Sequence, residues 1–160
     1  MIKSINSPPK LNVQTWINTE EELSLEKLKG KVVVIYVFQM LCPSCILNSI
    51  PQARRVSALF PKDDLAVIGL HSVFEHHDAM TEVSLKAFLH EFKVSFPVAI
   101  DMPSKNKGGR IPQTLDAYQL EGTPSIIVID RQGSLRKVKL GHLDDLTLGA
   151  ELMSLIREEI

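Results

Sequence analysis

Residues Gly30 to Cys45, GKVVVIYVFQMLCPSC, place a seven-residue apolar run, Val32 to Phe38, directly before two cysteines spaced C-x-x-C. A strand of β-branched and aromatic residues with no alternation has to be covered on both faces, as in a parallel or mixed sheet with helices on either side. The run therefore predicts a central strand. Pro43 has a preset φ and no N–H to lose, so it suits the first turn of a helix, with Cys42 at the N-cap or just before it. Free backbone N–H groups and the positive end of the helix dipole favour thiolate over thiol there. Cys42 is the expected nucleophile, and Cys45, one turn on, its shielded partner.

Composition narrows the setting. A chain of 160 residues with 44% hydrophobic content can bury one good core, so a single domain over 1–160 is expected. Lys and Arg total 18 against 19 acidic residues with no basic block, which argues against nucleic acid or an anionic membrane as partner. The start, MIKSINSPPKLNVQTW, lacks the apolar centre of a signal peptide, and no later run approaches a membrane span. A cytoplasmic protein is expected, or a periplasmic or other extracytoplasmic one if an export signal has been trimmed. The two cysteines are the only ones, three positions apart. A disulfide closing so short a loop stabilises little, so chemistry explains the pair better than stapling does.

Along the chain, residues 1–10 read as an extended lead-in and Leu11 to Ile17 as a short edge strand. Thr19 to Lys29 suits a short helix or turn, and Trp16 a packing anchor. After Cys45 an apolar stripe at helical spacing, Ile46, Leu47, Ile50, Val56 and Leu59, is interrupted by Pro51, which predicts a kink. Leu65 to Leu70 reads as a second core strand parallel to the first, residues 81–93 as a helix, and Phe96 to Asp101 as a strand. Met102 to Gln113, with Lys105, Lys107 and Arg110, reads as a solvated basic loop, followed by a helical turn or two over Leu115 to Leu120. Ser125 to Asp130 and Leu135 to Leu140 flank Arg131-Gln132-Gly133-Ser134 and predict an antiparallel hairpin. A helix capped by Asp144 or Asp145 closes the chain.

Parallel strands at 32–38 and 65–70 deliver their ends to one rim, where Cys42 sits. If the 125–130 strand runs antiparallel to its core neighbour, Thr123-Pro124 lies on that rim too. The strand, C-P-S-C and helix pattern resembles the thioredoxin superfamily, above all its TlpA/ResA-like, redoxin branch, whose members often read GKVVLVNFWATWCPPC. The segment EGTPSIIVIDRQG resembles the part of that family in which a cis proline packs against the active-site disulfide. The resemblance implies a thioredoxin-like α/β fold: a central mixed sheet flanked by helices, residues 1–20 as an N-terminal extension and edge strand, and a TlpA-type insertion over about 72–120. It also implies a cis Thr123-Pro124 bond. The family's helix proline falls eight residues after the first cysteine, whereas Pro51 falls nine after Cys42, so one extra residue has to be absorbed, as in a π-bulge.

Thiol–disulfide exchange is the expected reaction, with Cys42 and Cys45 catalytic and Pro43, Ser44, Thr123 and Pro124 meeting the substrate, a protein or small-molecule disulfide or dithiol. It needs no cofactor. A non-enzymatic binding module, or a zinc site built from Cys42, Cys45 and loop histidines, is the alternative: His71 ends the second core strand and is expected to point at the cysteine rim, with His76 and His77 close behind. His71 could instead bias the thiolate electrostatically. Peroxide reduction is a weaker rival, since the P-x-x-x-T-x-x-C signature needs proline at position 35 and threonine at 39, where the chain has Ile35 and Gln39. Three positions after Cys45, where the resembled family often has an acid, stands Asn48. Met40, Leu41 and Met80 could form an apolar docking surface around Cys42, with core packing the commoner fate of such residues.

Overall fold

The unbroken apolar run has the cover on both faces that it demands. In the computed structural model, which describes residues 7–160, all of β2 (Val32–Phe38) is buried. The elements in chain order are β1 (Val13–Ile17), β2, a π-helical turn (Cys45–Ser49) running into α1 (Ile50–Leu59), β3 (Leu65–His71), α2 (Glu82–Glu91), β4 (Val98–Asp101), α3 (Gln113–Ala117), β5 (Ser125–Ile129), β6 (Leu135–Leu140) and α4 (Asp145–Arg157). The first six residues of the expected lead-in lie outside the described part, and 19–29 forms turns rather than a helix.

Six strands form one mixed sheet in the order β1-β4-β3-β2-β5-β6. β2 pairs in parallel with β3 and antiparallel with β5, so the end of β2 and the start of β5 share a rim. Alternate β2 side chains feed two cores. Val32, Val34, Tyr36 and Phe38 meet α1, α2 and α4 through Val56, Leu85 and Leu152. Val33, Ile35 and Val37 meet Leu28, Leu115 and Tyr118 on the other face, with Trp16 packed against them. Each such fully buried aliphatic side chain contributes about 1.5–3 kcal/mol. A methyl group at Gly69 would come within 3.1–3.2 Å of Val98, Phe38 and Phe96, so the glycine lets these side chains close over β3. The outer strand β6 is largely exposed and carries Arg136, Lys137 and Lys139, a charged edge that resists pairing with another chain.

The helix after the cysteines absorbs its extra residue as expected. Ile50 donates its N–H to the Cys45 carbonyl, five residues back, and Pro51, which has no N–H to give, stands just beyond that wide turn. Among the described residues no helix is long and apolar enough to cross a membrane.

Candidate active site

The loop from β2 into the helix is tied down at Phe38, Gln39, Met40 and Cys42. Ser72 N–H donates to the Phe38 carbonyl (3.1 Å), and Cys42 N–H to the Gln39 carbonyl (3.2 Å). Met40 N–H donates to Nε2 of His71 (3.3 Å). The Cys42 carbonyl then accepts from Ile46 N–H (3.2 Å), which puts Cys42 at the head of the helix.

Both cysteines are unbridged; Cys42 is half-buried and Cys45 fully buried. Cys45 N–H donates to Cys42 Sγ at 3.3 Å, so the outer sulfur sits over a main-chain donor of the first turn. From the opposite side the Thr123 carbonyl lies 3.6 Å from Cys42 Sγ. The Thr123–Pro124 peptide is cis. Thus Cys42, Cys45 and Thr123-Pro124, some eighty positions apart in sequence, meet at one place. Pro43 is exposed beside Cys42, while Ser44 accepts a hydrogen bond from Asn48 Nδ2 (3.2 Å).

Burial pushes the Cys45 thiol up to about 12, with Cys42 adding to the rise. Hydrogen bonds from the Gln39 main chain and the Thr123 side chain pull the other way. The pair is therefore asymmetric: one sulfur reachable from solvent, the other held protonated until something stabilises its anion.

Three sequence expectations need correction. His71 is only 1% exposed, packs on Phe38 with ring centroids 5.1 Å apart, and spends Nε2 on Met40. Burial lowers its pKa to about 4, so near neutral pH it is an uncharged acceptor and brings no positive charge to Cys42. It does share a cleft of about 260 Å³ with His77 and Arg110, but no cysteine lines that cleft. Among the described residues no three His, Cys, Asp or Glu side chains gather closely enough to hold a metal ion. Met40 and Met80 are core residues at 8% and 6% exposure, so of the suggested docking surface Leu41 alone is exposed.

Gln39 is the residue that sequence reasoning passed over. It is 1% exposed, accepts from Phe74 N–H through Oε1 (3.1 Å) and donates from Nε2 to Thr123 Oγ1 (3.3 Å), bridging three segments at the site. A lone amide closing an otherwise apolar run was the available signal.

The family model described as Redoxin matches residues 6–150. The chain belongs to the Redoxin family. It is 25% identical over 139 residues to thiol-disulfide oxidoreductase ResA of Halalkalibacterium halodurans, covering 87% of this chain and 70% of that protein. A solved thiol-disulfide isomerase from Corynebacterium glutamicum superposes with a TM-score of 0.92 at 52% identity, covering 97% of this chain and 99% of that one. A solved thioredoxin-like superfamily protein gives 0.92 at 50% identity, over 96% and 97%. Some other curated relatives are much longer, the chain spanning about a fifth of their length. This member of the Redoxin family is thioredoxin-like in fold and an oxidoreductase in activity.

Proposed function

We propose that one thioredoxin-like unit exchanges dithiols and disulfides through Cys42 and Cys45, acting on protein or small-molecule disulfides. The observation that carries this reading is the asymmetric pair: a half-buried sulfur at a helix start, 3.3 Å from the N–H of a fully buried second cysteine. Cys42 thiolate attacks a substrate disulfide, one substrate sulfur departs as thiolate, and a mixed disulfide forms. Cys45 then attacks Cys42 Sγ, releasing the second substrate sulfur and leaving an intramolecular disulfide. Run backwards, the same steps oxidise a dithiol. An extended substrate would pair with the Thr123 main chain beside Cys42, while exposed Pro43 and Leu41 form the neighbouring contact surface.

Replacing the second sulfur tests this directly. Cys45→Ser, mixed with a disulfide-bonded peptide, is expected to accumulate a mixed disulfide at Cys42 that mass spectrometry detects, whereas Cys42→Ser accumulates none. Adducts in neither variant, together with no wild-type acceleration of disulfide reduction by dithiothreitol, would sink the reading.

A further inference from the structure

β4 is short and covers only part of its neighbour. It pairs with β3 through Gly69, Leu70 and His71, so Leu65–Ile68 has β2 on one side and no strand on the other. Main-chain groups along a parallel strand point alternately to its two sides. Val32 N–H donates to the Asp64 carbonyl and Gly69 N–H to the Pro97 carbonyl (both 2.9 Å), which turns Ala66 and Ile68 toward β2 and Val67 toward the uncovered side. Leu65 N–H bends back to the Pro61 carbonyl (3.1 Å), but among the described residues no loop meets the N–H or the carbonyl of Val67. Val67 is only 6% exposed. Buried main-chain groups are almost always paired, so this edge is a place where water or an incoming chain supplies the bonds.

The open edge lines a cleft of about 530 Å³, a size common among ligand sites. The segment before β4 lines it too, and Asn18 fastens that segment to the end of β1, its Nδ2 donating to the carbonyls of Val94 (2.9 Å) and Phe96 (3.2 Å). Lys31, Arg54, Lys62 and Lys93 stand round the cleft, with no acid among the lining residues. None of the four takes part in an ion pair among the described residues, and the acids beside them in sequence, Asp63, Asp64 and Glu91, pair with none of them. Positions 31, 54, 62 and 93 make no basic block; folding gathers them on a chain whose formal net charge is -1. β2 and β3 begin here and end at the cysteine rim, so the cleft lies at the opposite pole of the sheet from Cys42.

We propose that this cleft docks an extended acidic segment of another protein, which adds to the open edge of β3 as a short strand. At about 3.3 Å per residue, the uncovered stretch pairs with about four residues of the partner. Val67 N–H donates to the incoming main chain and the Val67 carbonyl accepts from it, while acidic side chains meet the four cations and apolar ones settle near Leu28 and Phe96. Charge complementarity selects an acidic partner. The open main-chain pair selects polypeptide, since a small anion or a nucleic acid has no peptide edge offering donor and acceptor together. Docking at this pole leaves the cysteine rim free, and the inference does not depend on which reaction occurs there.

The probe is an acetylated, fluorescein-labelled peptide of alternating glutamate and valine, titrated with the full chain and followed by fluorescence anisotropy. Binding should saturate and weaken as salt is raised. Arg54→Glu with Lys62→Glu, both exposed and unpaired positions, should weaken it by about tenfold or more. Two further peptides, N-methylated on the odd or on the even residues, separate strand pairing from charge alone. Only one edge of an added strand faces β3, so one of them should bind about tenfold more weakly and the other like the parent. In the complex, amide hydrogen exchange at Val67, read by NMR, should slow. Absence of saturable binding, equal binding by all three peptides, or an unchanged exchange rate at Val67 would each overturn the proposal. So would tighter binding of inorganic phosphate, glutarate or oligothymidylate than of the peptide. Self-association of the chain that protects the Val67 amide with no peptide present would assign the edge to a second copy and overturn it as well.

Discussion

His71 illustrates how a residue placed beside a reactive pair can belong to the scaffold. Its ring closes the Phe38 side of the core and its Nε2 holds the Met40 N–H, so the proton of the neutral imidazole is on Nδ1. The pH dependence follows from the direction of the shift. Burial lowers the folded-state pKa from 6.5 to about 4, so the unfolded chain binds a proton first as the solution is acidified. Stability contributed by this group is intact above the unfolded pKa and is lost as pH falls from about 6.5 to about 4, by about 3 kcal/mol in all. Asp101, raised by burial, slopes the opposite way in that range, and Asp145, held low by Arg55 and Gln52, acts only at lower pH. Urea unfolding at several pH values should give a shallower decline in His71→Gln than in the wild type. Equal slopes would show that the histidine titrates normally.

At the scale of the element, the wide turn at Cys45–Ser49 is a one-residue insertion in a helix. Cys45 and Ile50, both buried, lie five positions apart across it, whereas one regular turn separates residues about four apart. Removing Leu47, which is 73% exposed, should convert the wide turn to an ordinary one and leave both residues facing the core. Removing Ser57 from the regular part of α1 should instead rotate the end of the helix by about 100° and draw Phe60, buried at its C-cap, off the core. Thermal melts are expected to place the Leu47 deletion close to the wild type and the Ser57 deletion far below it. Equal damage from both deletions would contradict this account. The turn was legible beforehand because Pro51 falls one residue further from Cys42 than the helix proline of the family the sequence resembles.

Across the molecule, one buried carboxylate ties the start of α3 to the sheet. Asp101 Oδ1 accepts from Thr114 N–H (2.8 Å), and Oδ2 accepts from Ser72 Oγ (2.8 Å) and Leu115 N–H (3.0 Å), tying β4 to the start of α3 and to the residue after β3. Asp101→Asn puts donors where acceptors are needed, so it should cost about 1–3 kcal/mol in urea unfolding. Faster amide hydrogen exchange in α3 should accompany the loss. An unaltered exchange rate there would mean that the joint lies elsewhere. A second network spans the opposite face of the sheet: Tyr36 Oη donates to Gln52 Oε1 (3.2 Å), Gln52 Nε2 donates to the Leu143 carbonyl (2.6 Å) and to Asp145 Oδ1 (2.9 Å), and Arg55 pairs with Asp145.

Local chemistry carries a long way in this chain. An unbroken apolar run has to be a covered strand, a proline after a cysteine starts a helix, and Gln132-Gly133 between two apolar segments makes a hairpin, so the central strand, the hairpin and the cysteine pair could be read from neighbouring residues alone, while the fold class drew also on a family resemblance. Those features depend on contacts a few positions apart. Gln39, Asp101 and His71 were not legible in the same way, because the meaning of a polar residue depends on which distant group satisfies it. Gln39 looked like a missing threonine until Thr123 and Phe74 arrived beside it, and His71 looked like a ligand until Met40 claimed its nitrogen. Hydrophobic pattern determines where a side chain must hide; only the closed tertiary structure decides which hydrogen bond it finds there.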